Sequence, residues 1–155
     1  TKILINIIKS NSIYRTVRCD KITIAILDDI IRSYKKNGFL KSNLALMLLT
    51  KDRKTLKKMA EEIINSVQEH KLRTLGLTIE DSMVEAGSGS LPEKNLKSVT
   101  LKFSPKNISI DIISKSFKQY KVPIIGFINR NSFFIDLKAV LPSQSFHIID
   151  AINKV

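Results

Sequence analysis

The stretch Ile13 to Thr23, IYRTVRCDKIT, sets two arginines three positions apart, directly ahead of an Asp-Lys pair and a long apolar run. Arginine is scarce in this chain, six residues against twenty lysines, so the pairing of Arg15 with Arg18 asks for a reason. If residues 15 to 18 are helical or turn-like, the two fall on one side with β-carbons roughly 5–6 Å apart. Two permanently charged planar forks at that spacing can grip one small tetrahedral anion through paired hydrogen bonds. The alternative for the same residues is ion pairing with nearby carboxylates or closure of a helix end.

Other chemistry-bearing residues are more isolated. The run Ala86 to Pro92, AGSGSLP, could present successive backbone N–H groups as an anion nest. It lacks the Lys-Ser/Thr ending and following helix of a P-loop, and a plain turn between strands is the competing reading. Cys19 beside an arginine could have a lowered pKa, yet one residue before a helix cap it reads as a small packing residue. His70 and His147 stand on amphipathic segments as surface or boundary residues. With a single cysteine they make no metal site, and nothing gives Asp136 a catalytic role.

The elements that must position these groups follow from periodicity. At 155 residues, 43% hydrophobic and 26% charged, the chain can bury a real core and is not disordered. No apolar run reaches membrane-spanning length, no signal-peptide pattern is present, and the lone cysteine fits a reducing cytoplasm. The net charge of +12 invites a nucleic-acid reading. It is discounted because the excess is almost all lysine. Sixteen basic residues stand against seven acidic before Leu75, ten against seven from there on, and no aromatic interleaving marks a stacking platform.

KILINIIKS is a short amphipathic helix. Asp20 is the N-cap of a longer one striped by Ile26, Leu27, Ile30, Ile31 and Tyr34, with Gly38 at its stop. NLALMLL reads as helical, and KDRKTLKKMAEEIINSVQEHK as the cleanest helix, striped from Leu56 to Val67. RTLGLTIEDSMVEA and SVTLKF read as strands. Ser104 and Pro105 are expected to open a helix carrying Ile110, Ile113, Phe117 and Tyr120. PIIGFINRNSFFIDLKAV is a hairpin around NRN, and PSQSFHIIDAINKV a closing helix. The class is α+β, an antiparallel sheet with helices on one face.

Three stretches in order, YRTVRCDKITIAILDDIIRSY, VEAGSGSLP and VPIIGFINRNSFFIDLKAVLP, resemble the C-terminal part of the bacterial L-seryl-tRNA(Sec) selenium transferase (selenocysteine synthase) family. The resemblance covers nearly the whole chain. The chain departs from the family pattern at Cys19, at Ser88 within a glycine run, and at Phe127 and Lys138, which replace arginines. The family is one of fold-type I pyridoxal-phosphate enzymes that exchange the hydroxyl of tRNA-bound serine for selenium from selenophosphate.

The resemblance implies a long linking helix followed by the small domain. Residues 1–20 would be the tail of the large cofactor-binding domain, 21–50 the linking region and 51–155 the α+β small domain. The pyridoxal-phosphate lysine would lie upstream, so no catalytic residue is expected here and the segment alone is expected to be inactive. Arg15 and Arg18 would receive selenophosphate, while Gly87, Ser88, Gly89 and Ser90 would serve an active-site rim or subunit interface. Implied partners are seryl-tRNA(Sec), selenophosphate and further copies in a homo-oligomer, with no membrane.

Lys21, after Asp20, imitates a cofactor lysine, but a Schiff-base lysine needs a depressed pKa and an enclosing pocket. At the start of a helix, Lys21 is expected to be solvated or ion-paired. The rival readings are a tRNA-independent pyridoxal-phosphate lyase and a non-catalytic basic RNA-binding module.

Overall fold

The computed structural model describes residues 1–36, 38–85 and 95–155, with the backbone only at Lys41. It forms two compact units, Thr1–Asn43 and Leu44–Val155.

The first unit is helical: α1 (Lys2–Ser10), a 3-10 turn (Ser12–Arg15), α2 (Lys21–Tyr34) and α3 (Phe39–Ser42). Asp20 caps α2 as its position predicts, accepting from the Thr23 amide at 2.9 Å and the Thr23 hydroxyl at 2.8 Å. Gly38 takes φ +97°, the left-handed conformation that lets the chain turn from α2 into α3, and Tyr34 stacks on Phe39 across that turn at 4.8 Å.

None of the described residues of this unit is buried. Ile3, Leu4 and Ile7 on α1, and Ile22, Ile26 and Leu27 on α2, are all more than half exposed. At 100° per residue the apolar positions of α2 span roughly 200°, about twice the stripe of an ordinary surface helix. Lys21, Asp28, Asp29 and Arg32 occupy the remaining strip, where Arg32 bridges Asp28 at 2.7 Å. An apolar surface of this breadth is built to be covered.

The second unit carries the core. It runs α4 (Leu44–Leu49), α5 (Arg53–Asn65), α6 (Glu69–Leu75), β1 (Leu77–Glu85), β2 (Asn95–Phe103), α7 (Ile110–Lys118), β3 (Phe127–Asn129), β4 (Ser132–Asp136), a 3-10 turn (Pro142–Gln144) and α8 (Ser145–Lys154). The sheet is antiparallel in the order β1-β2-β4-β3. One face places Val99, Leu101, Phe103, Phe133 and Ile135 against Leu56 and Ile63 of α5, Ile113 and Phe117 of α7, and Ile148 and Ile152 of α8. Phe103, Phe117 and Phe133 are fully buried with ring centroids 5.2, 5.3 and 5.7 Å apart. The α+β class with an antiparallel sheet is as the sequence predicts.

Several boundaries differ from that reading. The long helix stops at Asn65, where the Ser66 hydroxyl turns back to the Glu62 carbonyl at 2.8 Å, and a separate helix, α6, follows. Arg73 to Leu75 are therefore helical rather than the start of a strand. Leu75 is fully buried, and Gly76, at φ +56°, ends α6 so that alternation begins at Leu77. Ser104 does not cap α7. Its amide donates to the carbonyls of Leu75 and Gly76 and its hydroxyl pairs with Ser132 at 2.8 Å, so it closes the end of β2. Ser109 caps α7 instead.

Candidate functional site

Arg15 ends the 3-10 turn, residues 16 and 17 continue as turn, and Arg18 begins the irregular link to the Asp20 cap. The turn is fixed locally: the Asn11 carboxamide accepts from the Ile13 amide at 2.9 Å, and the Thr16 and Val17 amides both donate to the Ile13 carbonyl. Both arginines are exposed, and neither forms an ion pair or side-chain hydrogen bond with a described residue. The carboxylates nearest in sequence are engaged elsewhere, Asp20 on Thr23 and Asp28 on Arg32. The hydrogen bonds from Thr23 hold the Asp20 carboxyl below its ordinary pKa. Lys21 is the exposed first residue of α2, and Cys19 is an exposed free thiol. Gly87, Ser88, Gly89 and Ser90 lie outside the described residues.

The second unit has a second face of interest, the sheet face turned away from the core. Strand alternation puts Glu80, Ser82 and Val84 of β1, Ser98, Thr100 and Lys102 of β2, Phe134 and Asp136 of β4, and Phe127 of β3 on this face. Its two halves differ.

In one half Asp136 is a hub. Its Oδ1 accepts from the Ser98 hydroxyl at 2.7 Å and the Lys138 amide at 2.8 Å, and its Oδ2 from the Ser82 hydroxyl at 2.8 Å. Lys138, almost wholly buried, donates from Nζ to the Lys51 carbonyl at 2.7 Å and the Lys97 carbonyl at 3.0 Å. Lys51 in turn donates to the Val140 carbonyl. Burial first, and the charge of Lys138 second, push the Lys51 ammonium below the usual lysine range. This lattice ties the α4–α5 link to the sheet. Above it Leu48 and Leu49 of α4 face Val84, Ile125 and Phe127 across an apolar groove of about 690 Å³.

The other half is polar and open, a pocket of about 380 Å³ bounded by Glu80, Lys102, Phe127, Asn129, Arg130 and Phe134. Phe127 and Phe134 are directly opposed in the β3–β4 register and stack with centroids 5.1 Å apart and planes 9° from parallel. Lys102 Nζ stands 5.9 Å from the Phe134 centroid and bonds Glu80 at 2.7 Å. Arg130 and Asn131 make the hairpin turn with φ +43° and +57°, the pair of positive values that a two-residue type I′ turn needs. An arginine in that conformation costs about 1 kcal/mol that glycine would not. The sequence shows no aromatic interleaving, yet folding at a two-residue loop pairs Phe127 with Phe134, seven positions apart. The signal was the NRN hairpin itself, since a loop at 130–131 forces 127 opposite 134.

His70 is exposed, and His147 is partly buried with an Nδ1 that has no hydrogen-bond partner among the described residues. Asp136 is fully engaged as a structural acceptor. No helix in the described residues is long and apolar enough to cross a membrane.

Comparison with known proteins bears on residues 1–141, which match the family model described as L-seryl-tRNA selenium transferase. Curated relatives carry the name L-seryl-tRNA(Sec) selenium transferase. One from Actinobacillus pleuropneumoniae serotype 7 is 31% identical over 89% of this chain and 30% of its own length. One from Carboxydothermus hydrogenoformans is 27% identical over 88% of this chain and 29% of its own. One from Alkaliphilus oremlandii is 27% identical over 99% of this chain and 33% of its own. The chain thus spans about a third or less of the length of these relatives.

Proposed function

The chain belongs to the L-seryl-tRNA selenium transferase family, and from that premise we propose that it is the C-terminal part of a cytoplasmic, homo-oligomeric, pyridoxal-phosphate-dependent enzyme. The enzyme converts seryl-tRNA(Sec) to selenocysteyl-tRNA(Sec) with selenophosphate. The family match over residues 1–141 carries this reading. The broad uncovered apolar arc of α2 supports it, because further polypeptide, from the large domain or a second subunit, is what such a helix needs.

Bound pyridoxal phosphate supplies an electron sink for loss of the seryl hydroxyl, but the residues described here do not fit the task of holding it. Lys138 is the buried lysine among them and its ammonium is committed to two backbone carbonyls, while Lys21 is exposed at a helix start. The share of this chain is anion handling. Arg15 and Arg18, unpaired with carboxylates among the described residues and joined through one turn, receive the selenium donor, each guanidinium offering a fork of N–H donors to the phosphate oxygens.

The test uses the full-length enzyme with Arg15→Ala and Arg18→Ala. Losing a charge-assisted hydrogen bond of about 1.5–3 kcal/mol lowers kcat/KM for selenophosphate by roughly ten- to a hundredfold, with cofactor absorbance unchanged. Unaltered donor kinetics in both variants removes the assignment.

A further inference from the structure

The open half of the second sheet face is not used by the selenophosphate reading, and its groups are those that hold a nucleotide. Phe127 is about half exposed and backed by Phe134, which leaves one face of a rigid two-ring stack free. A base stacks on such a platform whatever its identity, because every base has a π-face. Both carboxylates lining the pocket have partners: Glu80 bonds Lys102 within it at 2.7 Å, and Asp81 bonds Arg53 outside it at 2.5 Å. Arg130 is the pocket cation without an ion pair among the described residues, and it is held at the mouth in a left-handed turn position that asparagine or glycine would fill more easily. Asn129, Thr100 and Glu80 line the same cavity with polar side chains.

We propose that Phe127, Phe134, Lys102 and Arg130 form a stacking site for an unpaired nucleotide of single-stranded RNA, with the base on the Phe127 ring and the phosphate on Arg130. The site deepens the reading of this chain as part of a tRNA-acting enzyme and rests on it for the identity of the RNA, whose unpaired end is the part able to offer a free base. A double helix keeps its bases stacked on one another and cannot use the platform.

The probe is the tetranucleotide ACCA, titrated into the 155-residue chain and into the full-length enzyme by fluorescence anisotropy. An abasic tetranucleotide and a duplex RNA of the same length serve as comparisons. ACCA is expected to bind at least tenfold more tightly than either, with amide shifts concentrated on residues 127–134. Phe127→Leu keeps the apolar bulk and should weaken binding about tenfold or more. Arg130→Asn suits the turn and so cannot act by unfolding it. It should weaken binding while flattening the slope of log affinity against log salt by about 0.7, the share of one phosphate contact on a single strand.

Equal affinity for ACCA and the abasic strand, or unchanged affinity in both variants, overturns the site. So does binding by the 155-residue chain that vanishes in the full-length enzyme, which would make this face an internal protein contact. Selenium transfer tests the other reading separately. Normal transfer with no oligonucleotide binding sinks this site alone, whereas intact binding in an inactive family member leaves it standing.

Discussion

Removing the Asp136 carboxylate should separate a structural hub from a catalytic one. Asp136→Ala strands the Ser98 hydroxyl, at 1% exposure, and the Lys138 amide, both of which donate to Oδ1. An orphaned buried donor costs about 1–3 kcal/mol. The Ser82 hydroxyl, half-buried, can turn to water and adds little. Asp136→Ala is therefore expected to lose about 3 kcal/mol of stability. Asp136→Asn, whose carboxamide oxygen can still accept from Ser98 and Lys138 while its nitrogen meets Ser82, should lose about 1 kcal/mol. Ser98→Ala in the Asp136→Ala background removes one orphan, so the double variant should cost about 1–2 kcal/mol less than the sum of the singles. Urea unfolding of the 155-residue chain followed by circular dichroism reads all of these, with midpoints shifting at constant slope. A loss under about 0.5 kcal/mol in Asp136→Ala, or strict additivity in the double variant, would refute the network as the reason this residue is an aspartate.

Gly76→Ala should cost at least about 2 kcal/mol in thermal unfolding, because its Cβ would run into the Ser104 carbonyl and its φ is +56°. Gly76→Asn, which tolerates that φ, should recover little, since the clash persists. Asp150 is held down to a pKa of about 2, first by the Tyr120 hydroxyl and then by Lys154. With an unfolded value near 3.9, the stability it lends is complete above about pH 4 and is lost as pH falls toward 2. Tyr120→Phe should accordingly flatten acid unfolding over that interval, and an unchanged acid limb counts against the interaction.

The elements most legible in the sequence were those whose apolar spacing and punctuation agree. Asp20 with Ile26, Ile30 and Tyr34 announces α2, and NRN between apolar runs announces the hairpin. Misreadings arose where two local signals compete and tertiary contact chooses between them. Ser104-Pro105 has the composition of a helix start as good as that of Ser109, but its amide is needed by the Leu75 and Gly76 carbonyls, a partnership 28 and 29 positions away that no window contains. Val67 continues the stripe of α5 in sequence although the helix has already ended at Asn65. The arginine pair was legible as a possible clamp because two of six arginines adjoin. The absence of a carboxylate partner among the described residues was not, since it depends in part on Asp20 and Asp28 being spent on Thr23 and Arg32.

The charge of the chain leads to a different conclusion once the groups are placed. A lysine excess spread over a surface binds any polyanion weakly and with a steep salt dependence, and as a bulk property it gave no reason to look for an RNA site. Specific purchase on a nucleotide comes from arrangement, a ring with one free face together with a cation and polar groups nearby. The β3–β4 register brings Phe127 opposite Phe134 with Arg130 in the turn between them, and β2 adds Lys102. Of the cations in that pocket Lys102 is already answered by Glu80, so the site presents one available charge rather than many. Discrimination of this kind survives at a salt concentration that strips bulk lysine of its grip, and that is where the stacking site and the +12 surface part company.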